Sequence, residues 1–136
     1  MVIMLNETLK RLEQFHGHLG PYAVIGYRMG LIANEKLGKD PFSKKAVVYT
    51  GTTPPISCIV DGIQMSSGCT TGKGNLFVKN ESIPKAVFSS GDSKQFQIIL
   101  KNSIKDEIET SVNKENMVNY SEKIFDRSDE ELFEIL

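Results

Sequence analysis

The sequence is notable first for what it has little of: 136 residues contain no tryptophan, two histidines and two cysteines. No apolar run approaches the roughly 20 residues that a membrane-spanning helix needs. Acidic and basic side chains nearly balance, with 17 Asp and Glu against 16 Lys and Arg and a formal net charge of -1. Proteins that bind nucleic acids usually carry a strongly basic surface. We therefore expect neither a membrane nor a nucleic acid as a partner.

The scarcity of cysteine bears on the cellular compartment. Cys58 and Cys69 are too few for a disulfide framework. The first residues, MVIMLNETLKR, lack the basic segment and small-residue cleavage site of an export signal. Two thiols without such a signal indicate a reducing environment. We predict a cytoplasmic protein with one domain, which at this length is large enough to build a hydrophobic core.

Both histidines lie in one segment, FHGHLGPY, at His16 and His18. Imidazole is a common metal ligand and the side chain that most readily exchanges a proton near neutral pH. Gly17 and Gly20 permit sharp turns of the backbone, and Pro21 suits the first position of a helix. The segment predicts a tight loop that holds two imidazoles at a helix N-terminus. They would be either metal ligands or ordinary surface and packing residues.

Hydrophobic periodicity predicts two helices in the first part of the chain. One covers about residues 4–14, is capped by Asn6, and aligns Leu5, Leu9 and Leu12. The other covers about 21–37 and contains Gly26 and Gly30 in its interior. Because glycine costs about 1 kcal/mol relative to alanine inside a helix, we expect a close neighbour on that face. A sheet, another helix or a second subunit would each serve.

The remaining pattern predicts an α+β fold, with helices packed on a small mixed or antiparallel sheet in the order α-α-β-α-β-β-β. Ser57 is placed to cap a helix over 58–67, and the last three strands are expected to form an antiparallel meander. The predicted strands cover 45–51, 75–79, 85–90 and 94–101.

From Ser103 onward the sequence is charged, with sparse apolar residues at helical spacing. It predicts a helical C-terminal tail of two or three short helices that dock loosely on the core. Ser128 and Glu131 have the spacing of a capping box before the last of them. We expect this tail to be the part of the chain least suited to carry chemistry.

Cys58 is the second candidate for chemistry. It lies at the predicted start of a helix, where the dipole and the free N–H groups lower the pKa of a thiol. Asp61 follows three residues later, on the same face. Together with His16 and His18, these side chains would form a mixed nitrogen, sulfur and oxygen site suited to zinc or a related transition metal. The alternative is that Cys58 is a small buried hydrophobic residue.

Cys69 is harder to place in the same site. Eleven helical residues at about 1.5 Å each separate it from Cys58 by roughly 16 Å. Two thiolates on one zinc ion must lie within about 4 to 5 Å of each other. Cys69 therefore joins the metal only if the helix ends early. Otherwise it serves a second site or a neighbouring subunit.

The turn GCTTGKGN offers a possible anion site at Gly72, Lys73 and Gly74. A glycine-rich loop with a lysine can present several N–H groups and a positive charge to an anion. The segment lacks the Lys-Ser or Lys-Thr pair of a phosphate-binding P-loop, and a strand follows it rather than a helix. A structural turn that leads into the strand is the alternative.

Two blocks, FHGHLGPYAVIGYRMG and PPISCIVDGIQMSSGCTTGKGN, resemble in order and spacing the E-subunit family of formylmethanofuran dehydrogenase. We place the resemblance over about residues 8–101, within a domain of residues 1–101. Residues 102–136 would be a helical extension packed on that domain. The resemblance implies an α+β fold, frequent homodimers, and a metal site built from the histidine loop and the cysteine-containing segment. It also implies association with a molybdenum- or tungsten-pterin enzyme that reduces carbon dioxide to the formyl level on methanofuran.

One position departs from the pattern. Much of the family has a cysteine two residues after the second histidine, where this chain has Gly20. Any metal must therefore rely on water or on the remaining candidates, which are His16, His18, Cys58, Asp61 and Cys69. We expect zinc, with molybdopterin reached only through a partner subunit.

Three functional hypotheses follow. The first is a metal-binding accessory protein that works with other formylmethanofuran dehydrogenase subunits. The second is an independent metal-dependent enzyme with an open coordination position. The third is a metal-free homodimeric binding module whose Gly26 and Gly30 face packs against a twin subunit.

Overall fold

The computed structural model describes residues 6–91 and 93–136, which form six helices and five strands in an α+β fold, as predicted. No helix in these ranges is long and apolar enough to cross a membrane. In chain order the elements are α1 (Glu7–His16), α2 (Pro21–Leu37), β1 (Lys44–Val48), α3 (Cys58–Ser67), β2 (Leu76–Val78), β3 (Lys85–Ser90), β4 (Gln95–Leu100), α4 (Asn102–Ser111), α5 (Met117–Asp126), α6 (Asp129–Leu132) and β5 (Phe133–Ile135).

The strands form one mixed sheet in the order β2-β1-β3-β4-β5. β1 and β2 are parallel, with Ala46 opposite Leu76, and the other pairs are antiparallel. Parallel strands need a long crossover connection, and α3 lies within it. The predicted meander of β2, β3 and β4 is therefore wrong, because β1 lies between β2 and β3. The sequence pattern of a strand does not indicate which other strand it pairs with at the edge of a sheet.

The first helix begins as the sequence predicts. Asn6 Oδ1 accepts a hydrogen bond from the Leu9 amide at 2.8 Å, and Leu9 and Leu12 are buried. Leu5 lies outside the described residues. The predicted cap of α3 is not made: Ser57 already has helical angles, φ -64° and ψ -14°, and its side chain makes no capping hydrogen bond.

Helices α2 and α3 approach each other through glycine. A Cβ added to Gly26 would lie 2.0 Å from the carbonyl oxygen of Ile59, and one added to Gly62 would lie 2.1 Å from that of Ala23. Gly30 is equally close to Ser66, at 1.8 Å from its Oγ. The neighbour expected beside Gly26 and Gly30 is thus α3 of the same chain. The interpretation of this face as a contact with a twin subunit is wrong.

The C-terminal segment does not dock loosely. Arg28 of α2 donates from Nη1 to the carbonyl oxygen of Phe125, and from Nη2 to Asp129 Oδ1, both at 2.7 Å. Ile124 is completely buried, and Ile108 is 4% exposed. The high charge of this segment did not indicate that it packs firmly on the rest of the domain. The packing depends on a few buried residues and on Arg28.

The chain also ends differently from the predicted helical tail. Ser128 caps α6 as the capping box predicts, with its Oγ accepting from the Glu131 amide at 3.1 Å. After one turn the chain becomes β5, which pairs antiparallel with β4 and places Phe133 opposite Leu100. Residues 102–136 therefore contribute a strand to the central sheet. The division of the chain at residue 101 stays a prediction.

Candidate metal centre and adjoining cavity

The histidine segment joins α1 to α2. His16 is the last residue of α1, and Gly17 ends that helix with φ 105° while its N–H donates to the Glu13 carbonyl at 2.8 Å. Gly20 is extended, with φ -129°, and Pro21 occupies the start of α2 as predicted. This short connection holds the two imidazole rings 4.9 Å apart, centroid to centroid, at an angle of 44°.

Asp61, in the first turn of α3, fixes the orientation of His16. Its Oδ2 lies 2.6 Å from His16 Nδ1. A carboxylate on Nδ1 assigns the proton to that nitrogen and leaves Nε2 with a free electron pair, the arrangement typical of metal-bound histidine. Nε2 is buried and has no hydrogen-bond partner among the described residues. His16 therefore fits the role of a metal ligand, and Asp61 fits that of the residue that orients it.

A cavity of about 250 Å³ adjoins the two histidines. His16, His18 and Cys58 all contribute to its wall, together with Tyr22 at the start of α2. The segment after β4 supplies another part of the wall, namely Ile108, Glu109, Val112 and Met117. The structure thus brings three of the five predicted ligands to one cavity, with Asp61 directly behind His16.

Cys58 differs from the prediction in its acidity. Burial raises the pKa of its thiol, and the charge of Asp61 raises it further, while a backbone hydrogen bond has a smaller lowering effect. The predicted lowering of the pKa at the helix N-terminus is therefore wrong for the metal-free chain, since desolvation and the charge of Asp61 outweigh the backbone hydrogen bond. A metal ion would reverse this balance, because coordination deprotonates a thiol.

The other predicted ligand, Cys69, lies elsewhere. α3 is continuous from Cys58 to Ser67 and ends at Gly68, so an early break does not bring the two cysteines together. Cys69 is fully buried next to Ser67, and burial raises the pKa of its thiol despite the nearby charges of Lys44 and Lys73. Over residues 6–91 and 93–136, no three His, Cys, Asp or Glu side chains already stand in a metal-binding cluster.

The loop at Gly72, Lys73 and Gly74 uses most of its donors internally. The N–H of Lys73 donates to Thr70 Oγ1 at 3.2 Å, and that of Gly74 donates to the Thr71 carbonyl at 3.1 Å. Lys73 Nζ also donates to Thr70 Oγ1, at 3.0 Å. These bonds favour the structural turn, and anion binding there stays a prediction.

Sequence reasoning missed the cavity residues Tyr22, Glu109 and Met117. Tyr22 carried a signal, since it follows Gly-Pro directly in the histidine segment. Met117 carried none, because the fold alone brings α5 to the loop. A Cβ added to Gly20 would lie 3.1 Å from His18 Cε1 and 3.8 Å from Met117 Sδ. A side chain at position 20 would therefore be tight against the His18 ring and in ordinary contact with Met117.

Fold and site define a class of protein: a small α+β domain with a histidine pair and a cysteine beside a partly open cavity. The family model described as "FmdE, Molybdenum formylmethanofuran dehydrogenase operon" matches residues 15–134. The chain belongs to this family. The match includes most of the C-terminal segment, so the narrower extent of about 8–101 is wrong.

Two relatives illustrate the range of similarity. A crystal structure of a tungsten formylmethanofuran dehydrogenase FmdE-like protein from Syntrophus aciditrophicus superposes with a TM-score of 0.69 at 17% identity, over 96% of this chain and 69% of that one. A protein from Archaeoglobus fulgidus named "Probable S-adenosyl-L-methionine-binding protein" is 36% identical over 74 residues, or 53% of this chain. The match covers only 20% of that relative's length.

Proposed function

We propose that this chain binds a transition metal, with zinc as the expected ion. In this proposal it acts as a cytoplasmic accessory protein of a molybdenum- or tungsten-pterin enzyme that forms formylmethanofuran. The ligands would be His16 through Nε2, His18 and Cys58, with Asp61 holding His16. The single observation that carries the metal proposal is His16 Nε2, which is buried, lacks a hydrogen-bond partner in the described structure, and belongs to a ring already oriented by a carboxylate.

The donor types favour zinc. Two imidazoles and a thiolate are ligands that zinc accepts in tetrahedral sites, and three protein ligands leave one position for water or another molecule. Gly20 supplies no fourth ligand. A zinc ion would supply Lewis acidity at that position. The chain's own part would be to fix the ring of His16 and to surround the open position with the cavity.

Family membership supports the accessory role. In this proposal the molybdopterin belongs to a partner subunit, and other subunits of the dehydrogenase and a second copy of this chain are the expected partners. S-adenosyl-L-methionine is not carried over from the archaeal relative, because the matched 74 residues are a small part of that protein. Co-expression with dehydrogenase subunits followed by size-exclusion chromatography tests both kinds of partner. Elution of this chain as a monomer, without other subunits, would contradict them.

A second candidate function is an independent metal-dependent enzyme. The cavity of about 250 Å³ beside the histidines favours it, since a purely structural zinc site has four protein ligands and no space for a further molecule.

Metal analysis of protein purified without an affinity tag tests the metal proposal. We expect close to one equivalent of zinc, and a loss of affinity of tenfold or more in a competition with a chromophoric chelator for His18→Ala and Cys58→Ala. Cys69→Ala is the matched control, because Cys69 lies outside the cavity wall, and it should retain zinc. Less than about 0.1 equivalent of any transition metal in the wild type, or equal losses in both cysteine variants, would contradict the proposal.

A further inference from the structure

Tyr22 contains a second polar atom without a partner in the same cavity. The residue is 3% exposed, and its hydroxyl has no hydrogen-bond partner in the described part of the chain. Buried hydroxyl groups are normally hydrogen-bonded, because burying one without a partner is unfavourable. A molecule that enters the cavity and accepts a hydrogen bond would satisfy this group.

The surroundings of Tyr22 determine which molecule fits. Burial, together with the negative charges of Glu109 and Asp106, raises the pKa of Tyr22 to about 12. The hydroxyl therefore stays protonated and available as a donor at physiological pH. The same two carboxylates oppose the approach of an anionic ligand.

The rest of the wall is mostly apolar. Pro21 and Ala23 line it from α2, and Ile108, Val112 and Met117 line it from the segment after β4. A cavity of about 250 Å³ has space for several water molecules. Water needs two to four polar partners to be held in such a place, so an apolar body with one polar group suits this wall better.

We propose that this cavity binds a small neutral molecule with an apolar body, whose carbonyl oxygen accepts a hydrogen bond from the Tyr22 hydroxyl. An amide is the best match, because its N–H group also offers a donor to Glu109. The inference deepens the proposed function, since the ligand would lie beside His16 and His18. It rests on that function for the identity of the site, while its test does not require a metal.

Benzamide and benzoate form a suitable pair of probes, since they share one shape and differ in charge. Each would be titrated into the metal-free full chain and followed by the NMR signals of the Ile108, Val112 and Met117 methyl groups. We expect benzamide to shift these signals, and benzoate to bind at least tenfold more weakly. Tyr22→Phe should weaken benzamide about fivefold or more, the effect of one hydrogen bond.

Tyr27→Phe is the matched control, because Tyr27 packs on Phe125 and does not line the cavity. Glu109→Gln should bring benzoate closer to benzamide in affinity, and this variant tests the proposal even if Tyr22→Phe fails to fold. Absence of benzamide shifts at the cavity methyl groups, equal effects of the two tyrosine variants, or equal binding of both probes would overturn the proposal.

The same variants separate this proposal from the metal proposal. Tyr22→Phe should keep wild-type zinc affinity in the chelator competition. A wild type that binds benzamide but no zinc contradicts only the metal proposal. One that binds zinc but no benzamide contradicts only the ligand proposal.

Discussion

At the residue scale, the pair of His16 and Asp61 determines what the candidate site can do. The carboxylate is 37% exposed and does not line the cavity, whereas the imidazole is 10% exposed and contributes to the cavity wall. This geometry makes Asp61 more useful as the group that orients His16 than as a ligand. The sequence left both roles open, because spacing places Asp61 on the face of Cys58 without showing which atom it meets.

Asp61→Asn tests this assignment. The amide oxygen can still accept from Nδ1, but without the negative charge of the carboxylate. We expect zinc affinity to fall by about 10- to 100-fold, the range for groups that hydrogen-bond to a metal-bound histidine. Chelator competition would measure it, with the exposed Asp126→Asn as control. A variant that loses zinc as completely as His16→Ala would indicate that Asp61 is itself a ligand.

The raised pKa of Tyr22 predicts that the stability of the fold decreases at alkaline pH. Its pKa is raised to about 12 in the folded protein against about 10 in an unfolded chain. Between these values the folded state holds more protons, so stability that is fully present below pH 10 falls as the pH rises toward 12. We expect the wild type to lose roughly 2 kcal/mol more than Tyr22→Phe across this range. Urea unfolding at pH 9 to 11.5 measures the difference, and parallel curves for the two proteins would contradict it.

At the element scale, the contact between α2 and α3 positions the site, because one helix carries Tyr22 and the other carries Cys58 and Asp61. Glycine allows this approach at Gly26, where an added Cβ would meet backbone of Ile59. Backbone atoms cannot move aside without shifting the whole helix. The distance between Tyr22 and Cys58 in the cavity wall therefore depends on Gly26, which does not line the cavity.

Gly26→Ala should destabilise the fold. The gain of about 1 kcal/mol in helix propensity is outweighed by the overlap with Ile59, and overpacking of this kind costs typically 1 to 3 kcal/mol. The midpoint of urea unfolding would measure the net loss at constant m-value. Gly72→Ala is the control, since the nearest atom to its added Cβ is 4.0 Å away. Equal midpoints for the two variants would show that the helices separate without cost.

The elements also show how far the sequence could be interpreted. Periodicity was sufficient for α2, and side-chain chemistry was sufficient for the caps at Asn6 and Ser128, because these depend on neighbours within a few residues. Three other features depend on partners far along the chain. They are the pairing of β1 with β2, the formation of β5 after α6, and the position of Met117 beside the histidines. The same applies to the Cys58 pKa, where burial by the fold outweighs the local backbone hydrogen bond.

At the scale of the whole molecule, the candidate site connects both ends of the described chain. The histidine segment and α3 carry the candidate ligands, while the segment after β4 lines part of the cavity and is held to α2 by Arg28. Tyr120 and Arg127 both donate hydrogen bonds to Glu107, and these bonds join α4 to the end of α5. They also lower the pKa of the Glu107 carboxyl, and the hydrogen bond from Tyr120 has the largest effect. A ligand of the folded site would thus bind several parts of the molecule at once.

Zinc should therefore stabilise the protein against global unfolding. A ligand present at 100 times its dissociation constant adds about 2.7 kcal/mol when it binds only the folded state. For a domain of this size, that corresponds to a rise in melting temperature of about 10 °C. Thermal unfolding with zinc and after chelation would measure the shift in wild type, His16→Ala and Cys69→Ala. The shift should persist in Cys69→Ala and disappear in His16→Ala, because His16 offers a buried nitrogen to the metal and Cys69 lies outside the cavity wall. An equal shift in both variants would place the bound zinc somewhere other than this cavity.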